Sequence, residues 1–215
     1  MKQILCFGDS NTWGYMPESK ERYPWGVRWT SLLQQYFENQ DIRIIEDGIV
    51  GRTTSFDDPV RPYRNGVKEL PRSLEANDGL DAVVLMLGTN DCKAAYNADA
   101  GRIAAGIETL IRQIRQNDAN TKILLMSPIH LGTEVWRESY DPEFDRFSVE
   151  VSKELESEYR MLAHKYEIAF LAASDYAKPS DRDMEHMDEE GHKNLSMAVY
   201  GKLSELLDDH KEMAA

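Results

Sequence analysis

The chain has 215 residues, 41% of them hydrophobic and 29% charged, and a formal net charge of −13. That length fits one domain, residues 1–215, around a single core, with enough apolar content to cover a sheet on both faces. The acidic balance repels phosphate backbones and anionic lipid at long range, which argues against nucleic acid or a membrane surface as a partner.

The opening run Met1-Lys2-Gln3-Ile4-Leu5-Cys6-Phe7 leads straight into Gly8-Asp9-Ser10. It is too short for a secretory leader and lacks a small-residue cleavage site, and no later apolar stretch nears the roughly 18 to 20 residues of a membrane span. A cytoplasmic protein is the expectation. Lys2 to Phe7 is the first predicted strand, and Ile42 to Glu46, Asp81 to Leu87, Lys122 to Ser127 and Ile168 to Ala172 follow, each bounded by Gly, Pro, Asn or Asp. Between them run helical stripes. Trp29 begins one with Leu32, Leu33 and Tyr36; Ile103, Ile107, Leu110, Ile111 and Ile114 form another behind Asp99 as N-cap. Val151, Leu155, Tyr159 and Leu162 repeat the period after Ser148, and Leu195, Val199, Leu203 and Leu206 close the chain.

Near-continuous apolar strands that alternate with helices imply a five-stranded parallel sheet covered on both faces, an α/β three-layer sandwich of flavodoxin-like type. Two stretches break the alternation. Residues 11–29 hold Trp13, Tyr15, Trp25 and Trp29, and residues 131–147 hold Trp136, Tyr140, Phe144 and Phe147. Loops this long serve as lids or interfaces, and their aromatic content predicts a homo-oligomer whose loops narrow the entrance to a pocket. Cys6 and Cys92 have neither zinc-site nor disulfide spacing and read as reduced, buried thiols.

In such a sheet the ligand crevice lies beyond the carboxyl ends of the strands. Ser10, Gly51, Asn90 and the segment Asp183 to His186 occupy those ends. Ser10 sits at a strand-to-helix turn and becomes a nucleophile only if a base takes its proton; a lone Gly-Asp-Ser would equally serve as a helix cap. His186 is the candidate base. Asp183, three residues earlier, can accept from one ring nitrogen and leave the other for the serine, whereas the adjacent Glu185 is expected to point elsewhere. His192, His164 and His210 lie in helical patterns and read as packed or solvated. The Asn90 amide and the Gly51 N–H are candidate donors to an oxygen that becomes negative. Asp9 and Trp13, beside the serine, are the candidate substrate contacts. The crowded Asp183, Glu185, His186, Asp188 and His192 lack the two-histidine helical pair of zinc hydrolases, so neither metal nor cofactor is expected.

Gly8-Asp9-Ser10, Gly51, Gly88-Thr89-Asn90-Asp91 and Asp183-Met184-Glu185-His186 resemble, in order, the four sequence blocks of the SGNH (GDSL) hydrolase family. The resemblance implies Ser10 as nucleophile, His186 as base and Asp183 as its orienter. It also implies an oxyanion hole of the Ser10 and Gly51 N–H groups and the Asn90 side chain. The runs from Ile4 to Gly14, Arg52 to Pro59 and Met86 to Lys93 are similar to the arylesterase and acyltransferase branch, whose members are often oligomeric; residues 131–147 match nothing in it. A serine esterase is thereby expected that acts on short-chain, acetyl-type esters through an acyl-enzyme, with some acyl transfer to small alcohols. Carbohydrate acetylesterase is the alternative. A non-catalytic module for acetylated ligands is the rival from another class, but a binding site has no need of an activated serine.

Overall fold

The computed structural model of the protein describes residues 1–208. Five strands, β1 (Lys2–Gly8), β2 (Ile42–Gly48), β3 (Ala82–Met86), β4 (Lys122–Ser127) and β5 (Ala169–Ala172), form one all-parallel sheet in the order β2-β1-β3-β4-β5. The expected sandwich is present. Alternate residues along each strand serve opposite layers, as the two-residue period of a strand requires. Leu5, Phe7, Val83, Leu85, Ile123 and Leu125 face one core, while Ile4, Cys6, Val84, Met86, Leu124 and Met126 face the other.

Among the described residues the α-helices are α1 (Ser10–Trp13), α2 (Trp29–Tyr36), α3 (Gly66–Ala76), α4 (Ala100–Asn117), α5 (Arg146–Tyr166) and α6 (Glu189–Leu207), of which all but α1 pack on the faces of the sheet. The first core receives α4 and α5 and the second receives α2 and α6 through the expected stripes, and α3 adds Leu70 and Leu74 to the first. Each large aliphatic or aromatic side chain so buried contributes about 1.5–3 kcal/mol.

One helix boundary departs from expectation and one helix was not expected at all. Helix α5 starts at Arg146, because Asp145 is its cap: Oδ1 accepts from the Ser148 N–H at 2.8 Å, and Ser148 Oγ accepts from the Asp145 N–H at 3.0 Å. Ser148 is therefore a first-turn residue, the far half of a capping box. Helix α3 went unread, since its interior Pro71 argues against a helix and its apolar stripe is short. The Val67 carbonyl that Pro71 leaves without a helical donor accepts from Gln113 Nε2 on α4 at 2.9 Å.

Of the tryptophans, Trp29 is fully buried at the start of α2, and Trp136 packs partly against the first core with Arg146 over its ring at 4.5 Å. Trp13 is half-buried and Trp25 is 61% exposed. Cys6 and Cys92 are free and buried. Among the described residues no helix is long and apolar enough to cross a membrane. His210 lies outside the described residues.

Candidate active site

Strand β1 ends at Gly8, where a Cβ would stand 2.0 Å from Thr12 Oγ1 and 2.9 Å from the Met86 carbonyl, so only glycine permits the tight turn into α1. Ser10 opens that helix and is 1% exposed. Asp9, expected as a substrate contact, is its N-cap instead: it is 1% exposed and its Oδ1 accepts from the Asn11 N–H at 3.0 Å. Burial raises the Asp9 pKa to about 6, offset in part by that bond and by His186. Trp13 closes α1 at the rim, with its ring 6.3 Å from that of Tyr15 and the Arg22 guanidinium 5.7 Å away.

His186 arrives from the loop between β5 and α6. Its Nε2 lies 2.8 Å from Ser10 Oγ and its Nδ1 2.7 Å from Asp183 Oδ2. Asp183 Oδ1 meanwhile accepts the N–H groups of Glu185 and His186 at 3.0 and 2.9 Å, so one carboxylate fixes both the turn and the ring. Asn11, next to the serine, holds the same loop. Its Oδ1 accepts from the Met187 N–H at 3.0 Å and its Nδ2 donates to the Glu185 carbonyl at 3.4 Å. Tyr15 stacks on the imidazole, with centroids 4.2 Å apart and planes at 29°.

Glu185 does not point elsewhere. Its Oε1 lies 3.8 Å from His186 Nε2, on the side away from Asp183. The cause is Met184, whose φ of 61° is held by its N–H to the Ser180 carbonyl at 2.8 Å and by the Gly132 N–H to its own carbonyl at 2.8 Å. That left-handed residue turns the chain so that both flanking acids reach the ring. Burial alone would depress the His186 pKa, but Glu185 and Asp183 outweigh it and the pKa is raised. Burial raises Glu185, whereas Asp183 is lowered because its bonds from His186 exceed the opposing effect of burial.

At the neighbouring strand ends, Gly51 has a φ of 83° that favours glycine, and Asn90 follows β3 in a buried turn. Arg52 joins them to the serine turn. Its Nη1 donates to the Gly8 carbonyl at 3.0 Å, its Nη2 to Asp47 Oδ1 at 2.7 Å, and its own carbonyl accepts from Asn90 Nδ2 at 3.2 Å. His192, by contrast, is walled off in α6, where Nδ1 accepts from the Trp29 N–H at 3.3 Å and burial pushes its pKa down to about 3. His164 lies on α5. Among the described residues no three His, Cys, Asp or Glu side chains converge as metal ligands.

A hydroxyl, an imidazole and a carboxylate in one hydrogen-bonded line can activate the hydroxyl as a nucleophile. The sequence pattern of the GDSL-like lipase/acylhydrolase family matches residues 6–194. The chain belongs to that family. Its enzymatic class is accordingly that of the serine esterases. Est24, a carbohydrate acetylesterase from Sinorhizobium meliloti, is similar at 33% identity and a TM-score of 0.88, over 96% of this chain and 100% of that one. The aryl esterase of M. smegmatis is similar at 32% identity and a TM-score of 0.88, with 96% and 100% covered. Curated proteins gave no match.

Asn11, Tyr15 and Glu185 are the neighbours of the catalytic-type line that sequence reasoning left out of the site. Asn11 and Tyr15 do sit within five residues of Ser10, in the stretch already set apart as irregular.

Proposed function

We propose that this esterase cleaves short-chain acyl esters through an acyl-enzyme on Ser10. His186 Nε2 takes the hydroxyl proton as Oγ bonds to the acyl carbon, and Asp183 holds the ring in the tautomer that leaves Nε2 free. The oxygen that gains charge is met by the N–H groups of Ser10 and Gly51 and by the Asn90 amide, donors already fixed by the backbone and by Arg52. As the carbon–oxygen bond of the ester breaks, the leaving alkoxide takes the proton from Nε2. Water then attacks the acyl carbon, gives its proton to Nε2, and Oγ departs with that proton.

The observation that carries the reading is the unbroken line Asp183 Oδ2, His186 Nδ1, His186 Nε2, Ser10 Oγ, with links of 2.7 and 2.8 Å. A short acyl group is supported by acetylesterase activity in the name of a relative. Partial exclusion of water in so enclosed a site favours acyl transfer to small alcohols beside hydrolysis. We further propose a cytoplasmic homo-oligomer, a setting compatible with two unpaired buried thiols and with exposed Trp25, Val60 and Tyr63. Static light scattering at micromolar concentration decides the assembly; a monomer there rejects it.

The mechanism is tested with a fluorophosphonate and aryl acetates. One label is expected, on Ser10, and Ser10→Ala should lower kcat by about 10³-fold or more with an unchanged melting temperature. Labelling at another residue, or a fully active Ser10→Ala, rejects it.

A further inference from the structure

Glu185 is a carboxylate that the mechanism above does not use. It is 7% exposed, and its backbone is held on both sides, the N–H by Asp183 and the carbonyl by Asn11. No described residue donates a hydrogen bond to its carboxylate. His186 is the cation that acts on it most, and Lys93, the next, is engaged by Glu143. A carboxylate this little exposed, with the imidazole 3.8 Å away as its neighbour, gains from a donor that a ligand supplies.

Position identifies that ligand. Nε2 of His186 must deliver its proton to the departing oxygen, so that oxygen sits within hydrogen-bond reach of Nε2. Glu185 Oε1 is 3.8 Å from the same atom. It therefore faces the group attached through the departing oxygen, at the distance of a hydroxyl on the next carbon. An aryl or simple alkyl group there would leave the carboxylate without a donor, while a vicinal hydroxyl would satisfy it.

We propose that Glu185 is the leaving-group specificity residue: its carboxylate accepts the hydroxyl adjacent to the ester in acetylated polyols and sugars, and so favours them over aryl acetates. The inference rests on the ester-hydrolase reading of Ser10 and His186. A cationic leaving group is the rival occupant, since a carboxylate accepts from an ammonium as well as from a hydroxyl.

The test compares kcat/KM for glyceryl monoacetate and a monoacetylated xyloside with that for phenyl acetate. The ratio cancels the effect of Glu185 on His186, which every substrate shares. Glu185→Leu should lower the polyol-to-phenyl ratio by about 10- to 100-fold, the range of one hydrogen bond to a charged acceptor. Glu185→Gln, which keeps an acceptor oxygen, should retain most of the ratio. An unchanged ratio in Glu185→Leu overturns the assignment. So does an equal loss in both variants together with wild-type preference for acetylcholine, which would make the ligand a cation. If no acetate is turned over in a Ser10-dependent way, the esterase reading itself fails and this one falls with it.

Discussion

Replacing Asp183 with Asn isolates the electronic part of its work from the structural part. Oδ1 accepts two backbone N–H groups, from Glu185 and His186, and an amide oxygen can accept the same pair, so the turn should survive. The other position reverses. Where Oδ2 now accepts from Nδ1 at 2.7 Å, the amide would present N–H, and the imidazole could pair with it only by moving its proton to Nε2. That nitrogen could then no longer take the Ser10 proton, and the imidazolium would lose its paired carboxylate. The expected fall in kcat is about 10³- to 10⁴-fold, or about 4–5 kcal/mol in the barrier. Thermal stability should change little, because the buried donors remain satisfied. Asp183→Ala provides the contrast: it strands both backbone donors, at about 1–3 kcal/mol each, and should lower the melting temperature as well. Turnover of p-nitrophenyl acetate beside calorimetric melting reads both effects. An Asp183→Asn protein that keeps more than about a tenth of wild-type kcat would refute the tautomer argument.

Asn90→Ala should cost about 10²-fold or more in kcat at nearly constant KM, since its amide matters most when charge develops on oxygen. A purely structural Asn90, holding the Arg52 carbonyl at 3.2 Å, would instead lower the melting temperature and spare kcat. The base must be neutral, and burial of His186 is outweighed by Glu185, Asp183 and Asp9, so kcat/KM should fall on acidification through a pKa above the ordinary histidine value of about 6.5. Glu185→Gln should move that limb to lower pH; an unmoved limb would mean that Glu185 does not act on the imidazole.

The strands were legible because each is a short apolar run closed by a turn residue, and their ends pointed to Ser10, Gly51, Asn90 and His186. Helix α3 was hidden by Pro71, whose cost is met by Gln113 from a different helix, a contact that no local pattern contains. The start of α5 was misread because a capping box has two polar ends, and Ser148 is its inner one. Asp9 shows the opposite failing: proximity in sequence to Ser10 suggested a substrate contact, whereas the carboxylate is 1% exposed and caps α1 through Oδ1. Glu185 was set aside on the premise that neighbours along a regular chain diverge. Met184 breaks that premise with a backbone conformation that non-glycine residues seldom adopt, and no motif announces it.

The residues that look least chemical explain why the line at Ser10 is already aligned. Asp91 is fully buried and accepts from the Thr54 N–H at 2.9 and 3.0 Å and from Thr54 Oγ1 at 2.5 Å, while burial raises its pKa to about 7. It thereby pins the Gly51 loop to the turn that carries Asn90, as Arg52 pins the same loop to Gly8 and Asn11 pins the serine turn to the His186 loop. Each anchor bonds one strand end to another, so Ser10, Gly51, Asn90 and His186 are held together in the protein without a bound ester. An electrostatic site gains most when its dipoles need no reorientation as charge forms. Burying Asp9, Asp91 and Glu185 is unfavourable for the folded state taken alone; the return is a crevice whose polar groups have little freedom to turn away from the ester.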